Sequence, residues 1–231
     1  VNRDQWDLAL AILQRQELPS SRAAITGRWD NMTYRAAGDP RGLGVLQWLL
    51  QHGENPNPIG EYDYSMLSSA VGGYNVEAVR ILLKAGANPN FGMSYGSRAI
   101  YLATKLGNGD IVRLLIDAKA NVNTTDNDDG RTPLHEAVEH SDADLAKMLL
   151  EAGANPNIRS MLGHTTLFEA TDKRNKPMIR ILLDAKADVN VGDNTGWTPL
   201  HTAVVHRDVA LIRKLLEAGA DPEARDYTGR T

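Results

Sequence analysis

The chain has 231 residues, a net charge of −4, 42% hydrophobic residues and no cysteine. Interspersed acids and bases leave no basic face of the kind nucleic acid selects, and the absence of thiols excludes disulfides and thiolate metal sites. No apolar run reaches the ~18–20 residues that span a bilayer, and no charged-then-apolar leader opens the sequence, so an intracellular setting, cytoplasm or nucleus, is the default reading.

Residues 1–26 precede the patterned part of the chain. From Asp4 to Gln16, Trp6, Leu10 and Leu13 recur at i, i+4 and i+7, and Leu8 and Ile12 widen the stripe. That spacing predicts an amphipathic helix. Pro19-Ser20-Ser21 breaks it and can start a second short helix. The segment is expected to act as an N-terminal cap over the apolar side of the patterned part.

From Gly27 onward a single pattern returns. Asn55, Asn88, Asn121, Asn155, Asp188 and Asp221 fill the same slot, at gaps of 33, 33, 34, 33 and 33 residues. Self-similarity at a fixed period marks a stacked repeat array. The units run about 27–59, 60–92, 93–125, 126–159, 160–192 and 193–225, with a partial unit at 226–231. In the first, Gly38, Pro40, Gly42 and Gly44 crowd the link between helices, and a short or irregular first helix is expected. The fourth is preceded by one inserted residue near Asp126. In the fifth, Pro177 falls near the first turn of the second helix, where a missing N–H is tolerated. The sixth carries apolar residues on helices read as internal ones, and Thr231 opens a unit without its helices. The sequence therefore reads as a fragment of a longer chain, whose uncapped end leaves self-association through residues 198–231 open.

Two blocks carry the family signal. Gly130-Arg131-Thr132-Pro133-Leu134-His135-Glu136-Ala137 returns as Gly196-Trp197-Thr198-Pro199-Leu200-His201-Thr202-Ala203. Leu149-Leu150-Glu151-Ala152-Gly153-Ala154-Asn155-Pro156-Asn157 has counterparts in the other units. The pattern over about 27–231 resembles the ankyrin repeat. That resemblance implies an all-α solenoid of stacked helix-turn-helix units with β-turn fingers. Thr132-Pro133 and Thr198-Pro199 start first helices, the hydroxyl capping and the proline suiting the first helical position. In the family the motif histidine bonds backbone in the finger and loop, and His135 and His201 match it. Ser68, Tyr101 and Phe168 stand in its place elsewhere, which predicts weaker interfaces there. Gly53, Gly86, Gly153 and Gly219 follow the second helices as left-handed caps. Lys119 and Lys186 occupy that slot in two units, at a cost of roughly 1 kcal/mol each.

Nothing in the sequence spells catalysis. The six histidines form no His-Glu-x-x-His, no phosphate loop or nucleophile elbow appears, and Asp126-Asn127-Asp128-Asp129-Gly130 lacks the spacing of a calcium loop. No cofactor, metal or catalytic residue is assigned. Asn123 and Asn190 read as loop-stabilising amides.

The resemblance points instead to a protein or peptide partner. Family contacts come from the fingers and the exposed ends of the first helices. Those slots hold Tyr62, Tyr64, Tyr95, Arg131, Met161, Leu162, His164 and Trp197 on fingers, and Lys105, Glu139, His140, Lys173 and His206 on helices. Aromatic, Met and Arg side chains are enriched at interface centres. A non-catalytic interaction module is the first expectation. The alternative is the regulatory or targeting domain of a larger enzyme or channel.

Overall fold

A computed structural model of the chain describes residues 3–15, 30–57, 65–91 and 98–231. The short helix expected at Pro19 and the fingers carrying Tyr62, Tyr64 and Tyr95 lie outside the described residues. Thirteen α-helices and no strand are found among those described. They fall into two compact bodies, Val1–Asn121 and Val122–Thr231.

The first body holds α1 (Arg3–Arg15), α2 (Asp30–Gly38), a 3-10 turn at Pro40–Gly42, α3 (Leu43–Gln51), α4 (Met66–Gly72), α5 (Val76–Lys84), α6 (Ala99–Lys105) and α7 (Gly109–Asp117). First helices α2, α4 and α6 pack side by side as one layer, and α3, α5 and α7 form the other. The second body repeats the plan. Its first helices are α8 (Pro133–Glu139), α10 (Thr166–Asp172) and α12 (Pro199–Val205); its second helices are α9 (Ala143–Glu151), α11 (Lys176–Asp184) and α13 (Val209–Glu217).

Capping explains the helix lengths. The hydroxyls of Ser65, Thr132, Thr165 and Thr198 accept the N–H three residues on and start α4, α8, α10 and α12. The second helices α5, α7, α9, α11 and α13 open on an Asx side chain, Asn75, Asn108, Asp142, Asn175 or Asp208, doing the same; α3 starts at Gly42 without a side-chain cap. Such a cap contributes about 1 kcal/mol. The residue before each is left-handed: Tyr74, Gly107, Ser141, Arg174 and Arg207. That residue ends one helix and turns the chain back so the next packs against it. Leu134, Leu167 and Ala137, Ala170, Ala203 are buried between pairs, the alanines allowing close approach of the helices.

Two expectations change. α2 is a regular nine-residue helix rather than a short or irregular one. The nearby glycines serve close approach instead. A Cβ at Gly42 would meet the Ala36 backbone at 2.7 Å, so the 3-10 turn can lie directly on α2. On α1, Trp6 and Leu13 are buried, but Leu8 and Ile12 are exposed, so the buried stripe is narrower than the pattern implied. α1 packs on α3, and the Trp6 indole donates to Asp39 Oδ2 at 3.0 Å. Arg41 holds that carboxylate well below the usual range through a side-chain hydrogen bond.

Asparagines join consecutive loops. The Oδ1 atoms of Asn57, Asn90, Asn123, Asn157 and Asn190 accept the backbone N–H of Asn88, Asn121, Asn155, Asp188 and Asp221, at 2.6–2.8 Å. The amide nitrogens of Asn57, Asn123 and Asn190 donate to the carbonyls of Gly86, Gly153 and Gly219. Asn123 and Asn190 therefore act as loop-joining amides.

Candidate protein-binding face

Four fingers in the second body are closed by backbone hydrogen bonds. Asp126 N–H donates to Arg131 O, Ser160 to His164 O, Asp193 to Trp197 O and Asp226 to Arg230 O. The first closure spans one residue more than the others, which accommodates the single 34-residue gap. Neighbouring fingers are tied as well: Met161 N–H donates to Asp129 O, Asn194 to Leu162 O and Tyr227 to Thr195 O. Gly163 sits at φ +82°, and a Cβ there would lie 2.5 Å from Asn194 N. Only glycine lets the two fingers approach this closely.

The motif histidines are structural. Nδ1 of His135 accepts from Thr132 N–H at 3.1 Å, and Nε2–H donates to His164 O at 3.1 Å. His201 repeats the arrangement with Thr198 N–H and Arg230 O. Each thereby joins a helix start to the next finger. Burial pushes the His135 pKa down to about 4, so the ring stays neutral.

The finger position before the Thr-Pro slot carries Arg131, His164, Trp197 and Arg230 in successive units. Arg131 turns inward. Its Nε donates to Glu136 Oε1 at 3.0 Å and its Nη atoms donate to both oxygens of Glu169 at 2.7 and 3.2 Å. Nη2 also reaches His135 O and Glu139 Oε2. Burial opposes the guanidinium charge, but Glu169, Glu136 and Glu139 outweigh it and the Arg131 pKa is raised. Burial pushes Glu169 up to about 7 against the pull of Arg131. Lys173 Nζ donates to Glu139 Oε1 at 2.8 Å and extends the cluster to the surface, holding Glu139 below its usual range. His164 stacks on Phe168 at 4.4 Å. The Trp197 ring stacks on His201 and donates to Thr202 Oγ1, with the Arg230 guanidinium 5.5 Å from its centroid.

The residues singled out from sequence thus divide. Arg131, Glu139 and Lys173 come together in one ionic cluster, and His140 Nε2 lies 3.9 Å from Glu136. Met161 and Leu162 project from the finger tip at 62% and 67% exposure. Trp197 and His164 are half-buried. His206 lies 3.8 Å from Asp172. Lys105 sits in the other body, its Nζ 5.8 Å from the centroid of Tyr101. Glu136 and Glu169 were not singled out. Their recurrence one repeat apart, with Arg131 five residues before the first, is the signal that could have found them. Among the described residues no cluster of His, Asp or Glu forms a metal site, and no helix is long and apolar enough to cross a membrane.

Paired helices, capped fingers and loops joined at a fixed period define a repeat protein built from helix-turn-helix units. Residues 34–126, 67–160 and 156–226 match the family model of ankyrin repeats in three copies. The chain belongs to the ankyrin repeat family. It is similar to the ankyrin repeat domain of Bcl-3, described as a unique member of the IkappaB protein family. That similarity has 25% identity and a TM-score of 0.76, covering 86% of this chain and 90% of that one. Comparison with curated protein sequences gives no match. Ankyrin repeats generally mediate protein–protein interaction, and such domains are typically non-catalytic.

Proposed function

We propose that the chain is a non-catalytic recognition module that binds a protein or peptide through the fingers and first helices of the second body. The observation that carries this reading is the finger tip at Met161-Leu162. Its backbone is fixed on both sides, yet it holds two large apolar side chains in water. A rigid apolar anchor needs little ordering on binding, so its burial goes further toward affinity. Glu139, His140, Lys173 and His206 on the first helices would supply a polar rim. Mixed charge on that rim favours a protein partner over a polyanion.

The test is affinity capture with the 231-residue chain as bait, followed by mass spectrometry, beside M161D/L162D and a control variant, R180A, on α11. Specific prey should be lost with the finger variant and kept with the control. Prey retained by M161D/L162D at wild-type levels would remove the finger tip from the binding face.

A further inference from the structure

The finger tips of the second body change character from one unit to the next. Exposed positions hold Asn127, Asp128 and Asp129 on the first finger and Met161 and Leu162 on the second. The two tips are neighbours. Met161 N–H donates to Asp129 O at 2.8 Å, and a Cβ on Gly130 would lie 3.4 Å from Met161 Cγ. Two exposed carboxylates thus stand beside two bare apolar side chains. Among the described residues neither Asp128 nor Asp129 is in an ion pair. The nearest arginines in sequence are engaged elsewhere. Arg131 turns inward to Glu136 and Glu169. Arg159 donates to Gly163 O and Asn194 Oδ1, on the far flank of the apolar tip. Asp126, whose Oδ1 accepts from Arg131 N–H at the base of the first finger, adds a further negative charge. Three carboxylates against one guanidinium leave the surroundings of Met161 and Leu162 negative.

The rim on the first helices sets no sign, because Glu139 is paired with Lys173 and His206 lies beside Asp172. The finger tips do set one. An apolar anchor beside unpaired carboxylates is complementary to an apolar side chain with a cation next to it. One finger step covers two strand spacings, about 10 Å, which is about three residues of an extended chain. Two apolar side chains and their acidic flank are also a small footprint, far short of the roughly 800 Å² per partner that a folded interface covers. We propose that the partner of this tip is an extended basic segment, which sets a large apolar residue against Met161-Leu162 and, about three residues away, a Lys or Arg against Asp128 and Asp129. This rests on the finger-tip reading and adds the charge and form of the partner to it.

An exposed ion pair changes affinity by roughly fivefold at most, and complementary charge acts chiefly on partner choice, so sequence preference is the readout. A displayed library of random peptides is panned on the 231-residue chain, on D128N/D129N, on D128K/D129K and on M161D/L162D, each checked for an unchanged circular dichroism spectrum. Peptides kept by the wild type should carry Lys or Arg within about four positions of a large apolar residue, roughly two- to fivefold over Asp or Glu. D128N/D129N should lose that bias and D128K/D129K should reverse it. The same basic bias on D128K/D129K as on wild type would overturn the proposal. Peptides that need Met161-Leu162 but show no charge bias would overturn it too, while leaving the finger-tip reading in place. Peptides kept equally by M161D/L162D would remove the tip itself. A wild-type chain that enriches no peptide would rule out the extended segment, and capture of a folded partner would then decide the finger-tip reading by itself.

Discussion

Lys119 and Lys186 stand at φ +66° and +62°, where the equivalent residues of other repeats are Gly53, Gly86, Gly153 and Gly219 at +88° to +94°. A side chain in this region costs about 1–2 kcal/mol. Glycine relieves that strain but gives back up to about 1 kcal/mol, because the unfolded chain gains freedom. No atom lies within 4 Å of the Cβ positions built on the four natural glycines, so packing does not decide the sign. Each Lys→Gly change should therefore stabilise by about 0.5–1 kcal/mol. The sites lie in different bodies, so the effects should add to about 1–2 kcal/mol, or about 3–6 °C in melting temperature for a chain of this size. Lys147→Gly is the control. It makes the same chemical change at an exposed site inside α9 and should destabilise by about 1 kcal/mol. Thermal melts of the three variants decide the matter. If K119G and K186G melt below wild type, as K147G should, the strain argument fails.

The remaining predictions concern the buried polar groups. Burial lowers His135 from 6.5 to about 4; the unfolded chain takes up that proton first, so stability is lost as pH falls from 6.5 toward 4. Burial raises Glu169 from 4.5 to about 7; its contribution is full below pH 4.5 and is lost as pH rises through 7. The two oppose each other, so urea midpoints of wild type should change little between pH 7 and 5, whereas Glu169→Gln should lose about 2 kcal/mol over that interval. Equal midpoints for the variant at both pH values would contradict the assignment. Arg131→Ala leaves Glu136 and Glu169 buried without their cation and should cost about 3–5 kcal/mol in urea denaturation. Asn190→Ala removes the acceptor of Asp221 N–H and the donor to Gly219 O, and a loss of about 1–2 kcal/mol is expected in the same assay.

The repeat could be read from sequence because its signals are local. A hydroxyl before Pro-Leu-His, a glycine after a leucine pair and an asparagine two residues beyond the loop start each state a backbone need in one or two letters. Lys119 and Lys186 were legible for the same reason: they fill a slot whose conformation the other repeats announce. The binding face was harder to read because it depends on where side chains turn. Arg131 sits where a finger residue meets solvent, but the two glutamates that draw it inward lie 5 and 38 residues away. Leu8 and Ile12 continue an apolar stripe, yet how much of α1 is covered depends on what α3 presents to it. Met161 and Leu162 stay exposed because the finger backbone, rather than their own side chains, makes the contacts.

The asparagine rungs also bear on how the chain yields to force. Each rung joins neighbouring loops alone, and helix pairs touch only their neighbours within a body. Tension along such a stack has no shared interior to break at once. It loosens one rung and one helix pair at a time, each releasing about 11–12 nm of extended chain for a period of about 33 residues. Gradual lengthening under load is thus built into the spacing of a single amide side chain.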